Sequence, residues 1–230
     1  MRRSALLGTL AGLVACSGAP RARGAAPRSA ERPVRIITLG DSLALGQGAS
    51  TPRNGFIFRA YLAVRARRPG SRIDSYAIGG STVADVLRLQ VPRLAGARAD
   101  AVIVCVGGND VVRRVDARTF ASTYARLVAR VRALQPHAAI VCCGVPDVGT
   151  SPLFTGFERA AVALLARSDD VAVRAAAARE HAAFVDLFTA TSAARGDVGR
   201  LLSDDRFHPS DAGYRELAAV LTPVLLRALG

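Results

Sequence analysis

The run Ala101-Val102-Ile103-Val104-Cys105-Val106, ended abruptly by Gly107-Gly108-Asn109-Asp110, constrains the fold more than any other stretch of the chain. A strand with one wet face alternates apolar and polar residues. A run without polar residues suits a strand covered on both faces, as in a parallel sheet with helices above and below. Further strands are expected at Val34 to Leu39, Ile73 to Ile78, Ala138 to Val145 and Phe184 to Leu187. Between them the apolar spacing turns helical, at Phe56 to Arg67, Val83 to Leu89, Thr119 to Leu134 and Phe157 to His181. Pro69-Gly70 stops the first of these helices, and Ser168-Asp169-Asp170 marks a place where the fourth could be interrupted. A last helix is expected from about Asp211 to Leu229, capped by Ser210 and kinked or broken at Pro223. This alternation argues for an α/β fold: one open, mostly parallel sheet of about five strands with helices on both faces. With 230 residues and 50% hydrophobic content, one domain over residues 34–230 is the natural count.

In such sheets ligands bind beyond the carboxyl ends of the strands. Ser42, Gly80 and Asn109 each follow a predicted strand by a few residues, so three segments converge on one edge. Ser42 lies in Gly40-Asp41-Ser42-Leu43-Ala44-Leu45-Gly46-Gln47-Gly48, where small residues let backbone N–H groups approach a bound oxygen and a following helix turns its positive end toward it. A nucleophilic serine fits this turn, with Asp41 bracing it, although Gly-Asp-Ser is also ordinary turn chemistry. Of the three histidines, His137 falls at the opposite end of the sheet and His181 closes a helix. His208 lies in the loop before the last helix, three residues after Asp205, a spacing at which a turn can bring carboxylate to imidazole. The bland alternative is that Asp204 or Asp205 caps a turn and His208 is exposed.

The net charge of +13 invites a nucleic-acid reading. All 31 basic residues are arginine, scattered along the chain with no aromatic interleaving, so the charge reads as compositional bias and no nucleic-acid partner is expected. Met1-Arg2-Arg3 followed by apolar Ala5 to Ala15 reads as a signal peptide over residues 1–16. Leu13-Val14-Ala15-Cys16 resembles the bacterial lipobox, which would make Cys16 the lipidated first residue of an exported, membrane-anchored protein; the alternative is an ordinary secretory signal. Residues 17–33, rich in Ser, Gly, Ala, Pro and Arg, read as a flexible tether. Cys105, Cys142 and Cys143 fall inside strands and are expected as buried thiols, with a cross-strand disulfide the alternative.

Gly40-Asp41-Ser42-Leu43, Gly79-Gly80-Ser81-Thr82, Gly107-Gly108-Asn109-Asp110 and Asp205-Arg206-Phe207-His208 resemble, in order, the four sequence blocks of the SGNH or GDSL hydrolases. The resemblance implies a flavodoxin-like, three-layer α/β/α domain acting on carboxylic esters without metal or cofactor. It implies Ser42 as nucleophile, His208 as general base, Asp205 as its orienting acid, and an oxyanion hole made by the Ser42 and Gly80 N–H groups with the Asn109 amide. One departure is that these enzymes often carry an asparagine before the glycine turn, where this chain has Ser75-Tyr76-Ala77-Ile78. Gly80 is preferred to Gly79 as the donor because Ser81-Thr82 follows it. The Gly-x-Ser-x-Gly elbow of the α/β-hydrolases is absent, since Ala44 replaces its second glycine, and no Gly-x-Gly-x-x-Gly follows the first strand. The expected substrate is a small-molecule or glycan ester, with a carbohydrate O-acetyl esterase and a non-catalytic, lipid-anchored binding protein as alternatives. Asp147, Phe154 and Phe157 could line its pocket or could equally be packing residues.

Overall fold

The computed structural model describes residues 31–230; the signal peptide, Cys16 and most of the tether lie outside the described residues. Five strands, β1 (Arg35–Gly40), β2 (Arg72–Ser75), β3 (Ala101–Cys105), β4 (Ala139–Cys143) and β5 (Ala183–Val185), form one sheet in the order β2-β1-β3-β4-β5. Every pair is parallel, with Ile36 opposite Ala101 and Cys105 opposite Cys143. The α-helical segments are α1 (Ser42–Leu45), α2 (Phe56–Arg67), α3 (Val83–Asp85), α4 (Gly108–Val112), α5 (Ala117–Leu134), α6 (Gly156–Arg179), α7 (Leu187–Ala193), α8 (Val198–Leu201) and α9 (Asp211–Ala228). One layer packs α5 and α6 against Ile37, Leu39, Val102, Val104 and Ile140. The other packs α2 and α9 against Ile36, Ile103, Cys105 and Val141. Successive strand residues thus enter opposite cores, and this is why β3 carries no polar residue.

Four elements differ from the sequence-based expectation. Helix α6 is continuous through Ser168-Asp169-Asp170, although both aspartates are buried, because its apolar inner face is packed along its whole length. Helix α9 runs unbroken through Pro223, which points to solvent while Leu217, Leu221 and Leu225 hold the inner face. Solvent-side carbonyls can tilt outward, so a proline there is tolerated. The strand predicted to Ile78 ends at Ser75, yet Tyr76 and Ile78 still donate to the Thr38 and Gly40 carbonyls along β1. The predicted helix from Val83 is one α-turn capped by Thr82, followed by a π-turn over Val86–Gln90.

Cys105, Cys142 and Cys143 are free and buried. A hydrogen bond to Cys143 and burial push the Cys105 thiol well up, and burial raises Cys142 to about 12. Neither Cys105 nor Cys142 is poised as a thiolate nucleophile.

Candidate active site

Strand β1 ends at Gly40, whose φ of 152° belongs to glycine; a Cβ there would lie 2.0 Å from the Cys105 carbonyl oxygen. The chain can therefore turn sharply at the sheet edge, and Asp41 caps the turn by accepting from the Leu43 N–H at 3.0 Å. Ser42 is the first residue of α1 and is nearly buried. Its Oγ lies 2.9 Å from His208 Nε2, and His208 Nδ1 lies 2.6 Å from Asp205 Oδ2. With the proton on Nδ1, the ring donates to Asp205 and accepts from the Ser42 hydroxyl.

A tight loop makes that alignment. Asp205 Oδ1 accepts from the N–H groups of Phe207 and His208, both at 2.9 Å, and from the Ser203 hydroxyl at 2.9 Å. Arg206 takes a left-handed φ of 60°, and its carbonyl accepts from the Ser151 hydroxyl at 2.7 Å. Burial pushes the Asp205 carboxyl up, but the hydrogen bonds from His208, Phe207 and Ser203 outweigh it and hold the group well below the usual carboxylate range. It is therefore a carboxylate wherever the protein is folded near neutrality, able to stabilise a charged imidazole.

Of the other two segments, Asn109 lines the same cleft as Ser42, and the Gly79-Gly80 turn is joined to Asn109 through Ser81 without lining that cleft. Asn109 stands in the first turn of α4 and donates from Nδ2 to the Ser81 carbonyl at 3.1 Å and, more weakly, to Asp41 Oδ2 at 3.4 Å. Among the described residues no acceptor meets the N–H groups of Ser42, Gly79 or Gly80. Gly80 has a φ of 75°, and Arg113 holds its carbonyl at 2.9 Å. Asp41 is 4% exposed, and burial raises its carboxyl to about 7 against the hydrogen bond from Leu43.

Two supporting residues escape a reading of the sequence. Gln90, fully buried at the end of the π-turn, bonds both the N–H and the carbonyl of Gly40 at 2.8 Å and reaches Ser81 Oγ at 3.3 Å. It ties the serine turn to the glycine turn, and its one signal was a glutamine in an otherwise apolar stretch. Tyr214 donates to the Gln47 carbonyl at 2.6 Å and so joins α9 to the segment after α1. His137 and His181 are exposed beside the amino-terminal ends of β4 and β5, away from Ser42.

Ser42, Asn109 and His208 line a cleft of about 710 Å³, part of it open to solvent, whose walls are largely apolar and include Val106, Pro146 and Leu217. A side chamber of about 420 Å³, also partly open, lies between α7, α8 and α9 and shares Thr150, Thr191, Leu202 and Pro209 with the cleft wall. Asp147 lines the cleft as expected, whereas Phe154 packs on the core and Phe157 points to solvent.

The model of the GDSL-like lipase/acylhydrolase family matches residues 38–216. The chain belongs to this family. Its members are carboxylic ester hydrolases, and the five-stranded parallel sheet is theirs. Among solved structures, that of TesA superposes with a TM-score of 0.68 at 22% identity, covering 84% of this chain and 99% of that one. Phospholipase A1 from Streptomyces albidoflavus NA297 gives 0.61 at 24% identity, over 85% and 99%. Axe2, an acetyl xylan esterase from Geobacillus stearothermophilus, gives 0.61 at 20% identity, over 86% and 95%. At these identities the likeness is one of fold. Among curated proteins none matches the chain.

Proposed function

We propose that this GDSL-family chain is an exported serine esterase in which Ser42 is the nucleophile, His208 the general base and Asp205 the residue that orients it. The observation that carries the proposal is the hydrogen-bonded relay, 2.9 Å from Ser42 Oγ to His208 and 2.6 Å from His208 to Asp205. Ser42 Oγ attacks the ester carbonyl while Nε2 takes its proton, and the resulting imidazolium rests against Asp205. Negative charge collecting on the carbonyl oxygen meets the Ser42 and Gly80 N–H groups and the Asn109 amide. His208 then protonates the departing alcohol, and a water activated by the same nitrogen releases the acid from Ser42. Gly80 is preferred over Gly79 as donor because Arg113, bonded to the Gly80 carbonyl, braces the turn at that residue.

The side chamber favours esters whose acyl chain extends beyond acetyl, since its walls offer apolar contact and few donors for a sugar. Export rests on residues 1–16. A lipid on Cys16 would leave the cleft facing away from the anchor, because the chain enters the domain at the amino end of β1 and Ser42 stands at the carboxyl end. The test is Ser42→Ala, expected to abolish hydrolysis of p-nitrophenyl acyl esters and labelling by a fluorophosphonate while far-UV circular dichroism stays unchanged. Full turnover in that variant would refute Ser42 as the nucleophile, and a wild type that neither hydrolyses acyl esters or acetylated sugars nor labels would leave only a binding role.

A further inference from the structure

Helix α6 is apolar on two sides. Its inner face, including Val162, Ala166 and Val173, is buried against the sheet layer. On the outer side Phe157, Leu164 and Val171 recur every seven residues with 90%, 73% and 55% of their surfaces exposed. Between them, half a repeat on, stand the small residues Ala161, Ser168 and Ala175. A helix apolar all round belongs in an interior, and a seven-residue repeat of alternating positions is the pattern of a seam against another helix. Two arginines beside the middle of the stripe are turned back onto their own subunit. The Arg167 guanidinium lies 5.0 Å from the Phe188 ring, and that of Arg174 lies 4.1 Å from the Phe184 ring and 2.9 Å from Asp186. The stripe is thereby left uncharged.

We propose that this stripe is an interface between two copies of the chain, their α6 helices packed antiparallel about a two-fold axis near Ser168. The side chains are self-complementary in that orientation: Phe157 of one copy meets the small Ala178 end of the second, and Leu164 meets Val171. Glu158, which pairs with Arg114 of its own copy at 2.8 Å, faces the Arg179 end of the second copy. A parallel pairing would oppose Phe157 to Phe157, leave gaps at the alanines, and set Glu158 against Glu158 and the two positive helix ends against each other. The side chains of the stripe would bury on the order of 1,000 Å² across both copies, near the lower bound of a specific interface, so the dimer should dissociate in the micromolar range. A two-fold of this kind is isologous and closes without forming a filament. The stripe includes none of the residues lining the Ser42 cleft, so each subunit keeps its own site.

Sedimentation equilibrium of the full chain should show a concentration-dependent monomer–dimer equilibrium. Leu164→Arg, a change at an exposed position, should be monomeric throughout with unchanged circular dichroism and unchanged ester hydrolysis per subunit. Ser168→Cys should yield a disulfide-linked dimer on mild oxidation, with the wild type, which carries Cys16 and the buried thiols, as the control. A wild type monomeric to hundreds of micromolar, a dimer that survives Leu164→Arg, or cross-linking of Ser168→Cys no greater than the control would overturn the proposal. So would hydrogen exchange showing that a monomer covers Leu164 with residues 1–30, or association seen only with added lipid vesicles.

Discussion

Asp169→Asn should make the protein more stable above neutral pH and leave it nearly unchanged near pH 4. Asp169 lies in the middle of α6 with no exposed surface, and neither carboxyl oxygen has a hydrogen-bond partner among the described residues. Burial, reinforced by the Asp110 carboxyl on α4, pushes its ionisation up to about 7, whereas an aspartate in the unfolded chain ionises near 3.9. Between those two values the folded protein holds a proton that the unfolded chain has released. Stability therefore falls as pH rises through this window, at about 1.4 kcal/mol per pH unit for one proton, reaching a total penalty of about 4 kcal/mol once both states are ionised. Asparagine keeps the shape and removes the charge at every pH. It also relieves Asp110, which burial raises to about 6, and so acts in the same direction. Urea unfolding followed by far-UV circular dichroism, with the slope m checked for constancy, should show the variant about 3–4 kcal/mol more stable at pH 8 and within about 1 kcal/mol of wild type at pH 4.5. For a domain of this size the gain at pH 8 corresponds to roughly 2–4 °C in Tm per kcal/mol. A stability difference that does not change with pH, or a variant less stable at pH 8, would refute the reasoning, because either means that the Asp169 carboxylate is solvated or paired.

Three further outcomes follow from the site. If Asn109 serves in the proposed oxyanion hole, Asn109→Ala should lower kcat by about 10²–10³-fold with little change in KM, since it removes a donor to charge that develops only in the transition state; steady-state kinetics on one ester checks it. Gln90→Leu leaves the buried N–H of Gly40 unpaired, while its carbonyl keeps the Ile78 N–H, so it should destabilise the fold by about 1–3 kcal/mol and reduce kcat as the Ser42 and Gly80 turns lose their tie, measured by urea melts and by turnover at low temperature. Ala190→Phe fills the side chamber and should erase the proposed preference for longer acyl chains, read as octanoyl against acetyl esters and worth about fourfold in kcat/KM per methylene removed from water, while sparing acetyl hydrolysis. Equal loss on both esters would place the acyl chain elsewhere.

Much of this arrangement was legible in the chain itself, because the signals involved are local. Runs such as Ala101 to Val106 announce strands covered on both faces, and Gly40-Asp41-Ser42, Gly79-Gly80 and Gly107-Gly108-Asn109 announce turns at their carboxyl ends. In a parallel sheet those turns share one edge, so their convergence follows from topology alone. Asp205 and His208 were readable as a pair because three residues of turn suffice to join them. What was not legible depends on partners distant in sequence. The continuity of α6 past two aspartates and of α9 past Pro223 is decided by packing against the sheet, which outweighs local propensity. Gln90 looks like any polar residue on a short helix until a π-turn carries it to Gly40, 50 positions earlier.

The sequence by itself thus determined the element types, the strand edge that carries the site, and the residues with the chemistry to serve it, since these rest on periodicity, turn residues and side-chain identity. Only the tertiary structure decided that Ser42 and His208, 166 positions apart, meet at 2.9 Å, that Asp169 is sealed from water, and that the outer stripe of α6 is left uncovered. Those are facts of distance and solvent exposure, and both arise only when the layers close on one another.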